Sequence, residues 1–305
     1  MMKKIVILSL LLFCMTFASP FFDFKTNVKE KPQWILESLE GITKEVTRYA
    51  MPGGVVGISI KDLSSGETFS LNGNVAFNPA SVIKIPVMVE AYHQAQLGVI
   101  SLDDKMRLTD RYKLPGSGSL QYHSSGETFT IRRLIDLMIT DSDNTATQML
   151  MAKLGVHNIN SFMRRCGIYK TVIKDPTMFV KVDGKHNITS PDDMLKLMDK
   201  MYKGQLISPK ASTEMLATMK AQRHKWGIAR FLPNVTIANK TGSLDFVRND
   251  VGIIYANNKP YIISIFSRSL PSNHGGSVMV GALSKVVYDV RSHCSLSEEN
   301  TNTIS

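Results

Sequence analysis

The sequence predicts an α+β protein that combines a three-layer α/β/α lobe, built on an antiparallel sheet, with an all-helical lobe. Short segments rich in β-branched residues occur near both ends of the chain, and apolar residues at helical spacing dominate its middle. Helical patterns also precede the first strand and follow the last one. The simplest arrangement is one antiparallel sheet assembled from both ends, covered by the terminal helices, with the helical middle inserted as a second lobe.

We expect the α/β lobe to comprise residues 33–77 and 221–292, and the all-helical lobe to comprise residues 78–220. The polar residues 293–305 are expected to form a disordered tail. A cleft should lie between the two lobes, and binding and catalytic sites commonly occupy such clefts.

The first element is an amphipathic helix over residues 33–50, which Pro52-Gly53-Gly54 ends. β-branched residues then predict a strand over Val55–Lys61. The turn residues Ser64-Ser65-Gly66 separate it from a second strand that begins with Thr68-Phe69-Ser70-Leu71, so the two strands form a hairpin.

Apolar periodicity and turn residues predict the remaining elements. The helices of the middle segment are expected over Ser81–Leu97, Thr130–Thr140, Thr145–Leu154, Asp192–Tyr202 and Lys210–Lys220. The later strands are expected over Val235–Lys240, Asp250–Tyr255 and Tyr261–Phe266, and the final helix over Val278–Val290.

Residues 1–18 have the features of a secretory signal peptide. Lys3 and Lys4 precede an apolar run that ends at Phe17, and small residues suit cleavage after Ala18. The run is short for a membrane span, although an uncleaved anchor is the alternative. We therefore expect the mature chain to be exported to the periplasm or the extracellular space.

The formal net charge of the chain is +10, and removal of Lys3 and Lys4 lowers it to about +8. A basic surface favours an anionic partner such as the cell wall or a phospholipid headgroup. Because the basic residues are scattered, solubility explains the charge equally well. Basic and aromatic residues do not alternate as in nucleic-acid-binding segments, so we expect no nucleic acid partner.

Cys166 and Cys294 remain after removal of the signal peptide. Export permits a disulfide, and the sequence leaves open whether these residues pair or stay free thiols. No cluster of Cys, His, Asp or Glu has the spacing of metal ligands, so we expect no metal and no cofactor.

The segment Asn78–Val87 contains a Ser-x-x-Lys pattern, Ser81 and Lys84. Residues three apart lie on one face of a helix, which would hold the amine beside the hydroxyl. A serine hydroxyl is a weak nucleophile until a base removes its proton. A lysine can be that base when burial in an apolar wall lowers its pKa. Taken alone, the pattern is also consistent with an ordinary helix start after Pro79.

Two further motifs follow in order. Ser142-Asp143-Asn144 lies about sixty residues on, and Lys240-Thr241-Gly242 about a hundred residues after that. Ser-x-x-Lys, Ser-Asp-Asn and Lys-Thr-Gly in this order form the motif set of penicillin-binding proteins and class A β-lactamases. The chain therefore resembles the penicillin-recognising serine enzymes, in particular their class A β-lactamase-like branch, over roughly residues 33–292. The resemblance implies the β-lactamase/transpeptidase-like fold, with Asp143 holding the fold.

The resemblance implies that Ser81 attacks the carbonyl of an amide or a strained lactam and becomes acylated, with Lys84 as the general base. Ser142 would relay a proton to the leaving nitrogen, although a helix-capping serine is the alternative. Ser243 lies on the implied substrate-binding strand. The backbone N–H groups of Ser81 and of Ser243 or Leu244 would form the oxyanion hole.

Substrate binding is implied for a second group of residues. Asn144 would hydrogen-bond the side-chain amide of the substrate. Lys240 and Thr241 would hold its carboxylate, and Gly242 would let the strand approach closely because glycine has no side chain. Arg248 would add positive charge there or would otherwise be a solvated surface charge.

A glycine-rich loop, Pro115–Ser119, lies between the first two motifs. The lysine and helix context of a phosphate-binding loop are absent from it. The resemblance implies instead that this loop lines one wall of the substrate cleft.

The chain departs from the class A pattern between the second and third motifs. Class A β-lactamases carry a glutamate there that activates the deacylating water, and residues 166–180 of this chain contain none. Asp175, before Pro176, is the candidate replacement; it is one methylene shorter and would otherwise only shape a turn. The loop, with Thr171-Val172-Ile173 and Asn187–Pro191, is similar to that of class A-like penicillin-binding proteins that act as D-alanyl-D-alanine peptidases.

We therefore expect an exported, monomeric serine acyl-enzyme hydrolase that acylates Ser81 with D-Ala-D-Ala peptides of the peptidoglycan stem or with β-lactams. The first alternative is a true β-lactamase that deacylates through Asp175 or another route. The second is a non-catalytic protein that binds wall peptides on the same fold. Binding alone does not require Ser81, Lys84, Ser142 and Lys240, so their presence disfavours this last alternative.

Overall fold

The computed structural model describes residues 33–50, 53–174, 186–256 and 259–302. These residues all belong to one compact unit of the chain, Pro32–Ser305. The predicted signal peptide lies outside the described residues, so export stays a prediction. Within the described ranges, no helix combines the length and the apolar character that crossing a membrane requires.

Seven strands occur in the described part of the chain. They are β1 (Val55–Asp62), β2 (Thr68–Leu71), β3 (Lys105–Arg107), β4 (Thr128–Thr130), β5 (Thr236–Leu244), β6 (Val247–Tyr255) and β7 (Tyr261–Arg268). Five of them form one sheet in the order β2-β1-β7-β6-β5, with antiparallel neighbours throughout. Because β1 pairs with β7, strands from both ends of the chain share this sheet, as predicted.

Eight α-helices occur in the same ranges. They are α1 (Gln33–Ala50), α2 (Lys84–Gln96), α3 (Ile131–Thr140), α4 (Asn144–Leu154), α5 (Val156–Arg165), α6 (Pro191–Tyr202), α7 (Pro209–Lys220) and α8 (Asn273–Asn302). α5 is not among the helices predicted from the sequence. This helix starts directly after Gly155, whose φ of +82° turns the chain out of α4.

Helices cover both faces of the five-stranded sheet. α1 and α8 pack on each other and against β1 and β6, whereas α6 and α7 pack against β1, β5 and β7. Ile262 and Phe266 of β7 join the hydrophobic core shared with the middle segment. The intervening Ile263 and Ile265 are also buried and point to the opposite face, because side chains alternate along a strand. The predicted three-layer α+β architecture is confirmed.

Three details differ from the expectations. The middle segment is not all-helical, because β3 and β4 form a two-stranded sheet within it. α6 and α7 pack directly on the five-stranded sheet, and one hydrophobic core continues from the middle segment to that sheet. The last helix continues to Asn302 in place of the predicted disordered tail from residue 293. Residues 282–302 contain neither glycine nor proline, the residues that most strongly disfavour helix.

A buried ion pair ties the last helix to the first hairpin. Arg291 of α8 pairs with Asp62 at the end of β1, and the two residues are only 7% and 1% exposed. Asp62 also accepts the backbone N–H of Ser64 at 2.7 Å and that of Ser65 at 3.3 Å. The carboxylate therefore fixes the turn between β1 and β2 as well as the helix.

Replacement of Arg291 by alanine should lower the free energy of unfolding by about 3–5 kcal/mol, because it leaves the Asp62 carboxylate buried without its cation. Urea unfolding at neutral pH measures this loss. Lys285→Ala in the same helix is the matched control: its pair with Asp289 is about half-exposed, so the expected loss is below about 1 kcal/mol. Equal losses in the two variants would contradict the prediction.

Candidate active site

Ser81 lies in a 3₁₀ turn, Ala80–Ile83, that leads directly into α2. The side chain of Asn249 on β6 donates to the Asn78 carbonyl at 2.9 Å, and the Asn78 side chain accepts the Ala80 N–H at 3.0 Å. These bonds hold Ala80 at a φ of +48°, a left-handed conformation that is uncommon for alanine. Such strain persists where the surrounding contacts determine the backbone, and it is frequent at functional sites.

Lys84, the first residue of α2, is fully buried beside Ser81. Its Nζ lies 3.1 Å from Ser81 Oγ, 3.0 Å from Ser142 Oγ, 2.6 Å from the Ser142 carbonyl oxygen and 2.9 Å from Asn144 Oδ1. The first two motifs of the sequence therefore meet at one amine.

The protonation of Lys84 follows from this environment. Burial lowers the pKa of Lys84 well below its ordinary value, and the charge of Lys240 lowers it further, against an opposing contribution from Asp143. A neutral amine has two N–H donors and one lone pair. The carbonyl oxygens of Ser142 and Asn144 can only accept, so they take the two donors. The lone pair is then left for a hydroxyl proton, which is what a general base for Ser81 requires.

The Ser142 hydroxyl bridges two lysines. Its Oγ lies 3.0 Å from Lys84 Nζ and 3.1 Å from Lys240 Nζ. Burial lowers the pKa of Lys240 to about 7, while Asp250 opposes the shift. The chain Lys84–Ser142–Lys240 can therefore pass a proton along the floor of the site. Ser142 itself has a left-handed φ of +56° between α3 and α4.

Asp143, not Ser142, caps α4. Its carboxylate accepts the Ala146 N–H at 2.8 Å and the Leu120 N–H at 2.9 Å. A Cβ on Gly118 would lie 2.2 Å from this carboxylate. Through these two hydrogen bonds, Asp143 connects the end of the glycine-rich loop to the start of α4. This geometry agrees with a fold-holding carboxylate and leaves Ser142 free of the capping role.

The Asn144 amide is held within the protein. Its Oδ1 accepts from Lys84, and its Nδ2 donates to the Pro115 carbonyl at 2.9 Å. Because an amide nitrogen carries two protons, one donor remains for another acceptor. The implied contact of Asn144 with a substrate amide stays a prediction.

The third motif lies on β5, against the turn that carries Ser81. Thr241 and Ser243, on alternate positions, line the cleft, and Gly242 faces the turn. A Cβ on Gly242 would lie 2.6 Å from the Pro79 carbonyl oxygen and 3.1 Å from the Val82 nitrogen. Glycine is therefore required for β5 to approach the nucleophile this closely.

Two loops line the cleft in addition to residues of the three motifs. Its lining residues are Ser81, Ser117, Ser142, His224, Trp226, Thr241 and Ser243. Ser117 belongs to the glycine-rich loop, as the resemblance implies. His224 and Trp226 come from the loop between α7 and β5 and were not among the predicted site residues. One sequence feature could have pointed to Trp226. The chain has only two tryptophans, and Trp226 lies outside every predicted helix and strand.

Arg248 is a fixed side chain and not a freely solvated charge. Its Nη1 donates to the carbonyl oxygens of Leu244 at 2.7 Å and Val247 at 2.8 Å, and its Nε donates to Ser277 Oγ at 3.1 Å. Arg248 does not itself line the cleft, but it packs on Trp226, which does. Its contact with a substrate carboxylate stays a prediction.

Asp175, the candidate deacylation base, lies outside the described residues. The chain on either side of its loop is paired: Val172 and Ile188 form a β-bridge, and the Lys174 N–H donates to Asn187 Oδ1 at 2.8 Å. The start and the end of the loop therefore lie side by side.

Cys166 carries a free thiol. Of the two alternatives, a disulfide or a free thiol, the structure therefore has the free thiol at this position. Within the described ranges, no three His, Cys, Asp or Glu side chains are grouped so that they could hold a metal ion.

The fold and the cluster around Ser81 are those of a serine hydrolase. A family model described as the β-lactamase enzyme family matches residues 39–290. The chain belongs to this family.

Individual relatives agree with the assignment. The β-lactamase VEB-1 of Pseudomonas aeruginosa is 24% identical over 255 residues, which cover 77% of this chain and 84% of that protein. A solved β-lactamase of Sphaerobacter thermophilus is 31% identical with a TM-score of 0.77, covering 81% of this chain and 95% of that one.

A penicillin-binding protein is similar to the same extent. PBP-A is 29% identical with a TM-score of 0.76, and the match covers 87% of this chain and 98% of that one. A leucine-to-glutamate mutant of PBP-A, solved as an acyl-enzyme complex with penicillin G, is also 29% identical, with a TM-score of 0.75 and coverage of 83% and 95%.

Gly242→Ala should lower the rate of Ser81 acylation by about 100-fold, because its Cβ would displace β5 from the nucleophile by a fraction of an ångström or more. The measurement is the rate at which a fluorescent penicillin labels the folded protein.

Gly252→Ala on β6 is the matched control, since its Cβ would also lie 2.6 Å from a backbone carbonyl, that of Ala238. Both variants should unfold at lower temperature, but only Gly242→Ala should label slowly. Equal labelling rates for the two folded variants would refute the positioning role of Gly242.

Proposed function

We propose that this chain is an exported penicillin-binding protein of the D-Ala-D-Ala peptidase type, which β-lactams acylate at Ser81 and from which the acyl group leaves slowly. The observation that carries the proposal is a complete acylation site in a chain whose residues 166–180 contain no glutamate. The nucleophile and its base are retained, and the residue type that activates the deacylating water in class A β-lactamases is missing.

The geometry of the site supports acylation of Ser81. Lys84 takes the Ser81 proton, and the Ser81 oxygen attacks the carbonyl carbon of the amide or lactam. Backbone N–H groups of Ser81 and Ser243 are the candidate donors to the developing oxyanion, and loss of one such donor typically costs about 100- to 1000-fold in rate. Collapse of the tetrahedral intermediate breaks the C–N bond. The proton then returns through Ser142 to the leaving nitrogen, which lies on the Lys240 side of the site.

The charge at one end of the cleft supports the proposed substrate class. Thr241 lines this end, the buried Lys240 amine donates to the Thr241 carbonyl, and Arg248 packs on Trp226 of the cleft wall. A carboxylate beyond the scissile bond fits this end, and both a D-Ala-D-Ala terminus and the fused ring of a penicillin supply one. Peptidoglycan lies outside the cytoplasm, which agrees with the signal peptide expected in residues 1–18. The similarity to PBP-A, a mutant of which forms an acyl-enzyme with penicillin G, also supports the proposal.

A true β-lactamase is the second candidate. The named relatives VEB-1 and the Sphaerobacter thermophilus protein are β-lactamases, and Asp175 lies in the loop where a deacylating carboxylate is expected. This candidate requires that the shorter side chain of Asp175, or another group, activates water near the acyl-serine.

Incubation of the mature protein with benzylpenicillin should give an adduct on Ser81 that outlasts many turnovers of a typical enzyme, which completes about 10 per second. Mass spectrometry from seconds to hours follows the adduct and the release of penicilloate. Ser81→Ala should show no adduct. Rapid loss of the adduct with accumulating penicilloate would replace this proposal by the β-lactamase alternative.

Asp175→Asn separates the two candidates further. A β-lactamase that uses Asp175 should accumulate the acyl-enzyme in this variant, because the amide cannot accept a proton from water. A penicillin-binding protein should keep the wild-type adduct lifetime. A D-Ala-D-Ala peptide substrate, followed by released D-alanine, tests the proposed natural reaction directly.

The acylation rate should first rise and then fall with increasing pH. It should rise with pH while Lys84 loses its proton, since only the neutral amine is a base. It should fall as pH rises through about 7, where Lys240 loses the charge that holds the substrate carboxylate. Rates of Ser81 acylation by benzylpenicillin between about pH 5 and pH 9 test this profile.

Benzylpenicillin methyl ester serves as the control for the pH profile, because it has no carboxylate for Lys240 to bind. Its acylation rate should rise with pH without the decline at alkaline pH. A decline of the same size with both donors would exclude carboxylate binding by Lys240 as the cause. The two lysines interact, so the measured pKa values belong to the pair.

A further inference from the structure

Trp226 is the largest side chain of the cleft wall that the proposed mechanism does not use. It lies in the loop between α7 and β5 and is half-buried. It lines the cleft together with Ser81, Thr241 and Ser243. The guanidinium carbon of Arg248 lies 5.6 Å from the centre of the indole ring. This distance is within the range of a cation–π interaction.

The register of the sheet directs Arg248 toward the cleft. Arg248 on β6 is paired with Ser243 on β5, and directly paired residues project from the same face of a sheet. Hydrogen bonds to the Leu244 and Val247 carbonyls and to Ser277 Oγ occupy Nη1 and Nε. Within the described part of the chain, Nη2 donates to no protein atom. This nitrogen is therefore available to an anion in the cleft.

The indole controls the surroundings of this guanidinium. Burial lowers the pKa of Arg248, and Asp245 opposes the shift; the group nevertheless stays protonated, because an arginine pKa is far above neutral pH. Two restrained nitrogens still permit the planar group to tilt. The ring of Trp226 covers one face of this group and limits that tilt. Without the ring, only the hydrogen bonds of Nη1 and Nε would hold the guanidinium, and the uncovered face would be open to solvent.

We propose that Trp226 is a positioning residue: its indole face holds the Arg248 guanidinium at the carboxylate end of the cleft, so that Nη2 pairs with a free carboxylate of the acyl donor. Selection for donors with that carboxylate then depends on Trp226 as well as on Lys240. This inference rests on the proposed function, because it takes Ser81 to be acylated by donors of this kind.

The test compares benzylpenicillin with its methyl ester in Trp226 variants. Trp226→Leu and Trp226→Met remove the ring face and should lower the second-order rate of Ser81 acylation by benzylpenicillin about 2- to 30-fold. Acylation by the methyl ester should change by less than about 2-fold. Trp226→Phe keeps an aromatic face and should retain most of the preference for the carboxylate donor.

Phe231→Leu is the matched control. Phe231 is 40% exposed, and the guanidinium of Arg230 lies 5.5 Å from its ring centre. This aromatic–arginine pair does not line the cleft. The variant should leave the ratio of the two acylation rates unchanged. Arg248→Ala should lower that ratio, and Trp226→Leu added to Arg248→Ala should not lower it further.

Two results would overturn the inference while leaving the proposed function intact. One is an equal loss with both donors in Trp226→Leu, which would make the indole a wall of the cleft and nothing more. The other is an undiminished preference for the carboxylate donor in both apolar variants. Failure of the wild-type protein to form any Ser81 adduct would instead overturn the proposed function, and this inference with it. Melting temperatures of all variants identify those that fold.

Discussion

Two lysine side chains, Lys84 and Lys240, are buried on either side of the Ser142 hydroxyl, and the rest of the site depends on this arrangement. An ammonium group is strongly disfavoured away from water unless it is compensated. The hydrogen-bond partners of the two amines are neutral oxygens, those of Ser81, Ser142, Asn144 and Thr241. Burial therefore lowers both pKa values, and the amine beside Ser81 is suited to act as a base without a histidine.

The five-stranded sheet holds this unfavourable cluster in position. Asp250 on β6 is fully buried and accepts from Asn239 Nδ2 at 3.0 and 3.1 Å and from the Ile228 N–H at 2.8 Å. Burial raises the pKa of Asp250 to about 6 despite these bonds. One residue earlier on the same strand, the Asn249 side chain donates a hydrogen bond to the Asn78 carbonyl, three residues before Ser81. β6 thus supports both the strand that carries Lys240 and the turn that carries the nucleophile.

Acylation and deacylation make separate demands on this fold. The groups proposed for acylation come from three distant segments. Lys84 lies within hydrogen-bond distance of Ser81 and Ser142, and Ser142 lies within hydrogen-bond distance of Lys240. Deacylation requires one more group that can activate water, and the class A residue type for that task is missing from residues 166–180. A penicillin-binding protein and a β-lactamase can therefore share this site and differ in the lifetime of the acyl-serine.

The sequence by itself determined the fold class and the residues of the cluster. Strand and helix patterns predicted which segments share the sheet, and three short motifs predicted Ser81, Lys84, Ser142 and Lys240. These features are local. Side-chain periodicity, turn residues and the spacing of Ser-x-x-Lys each involve residues close together in the sequence, so they can be recognised without the fold.

Tertiary structure alone decided how those residues meet and what surrounds them. The bridging of two lysines by Ser142 and the close approach of Gly242 to the Pro79 carbonyl join segments far apart in the chain. His224 and Trp226 enter the cleft from a loop without a motif, so no motif identified them as site residues. Burial, and with it the pKa of Lys240, is a property of the packed molecule, because desolvation depends on every segment that excludes water from the amine.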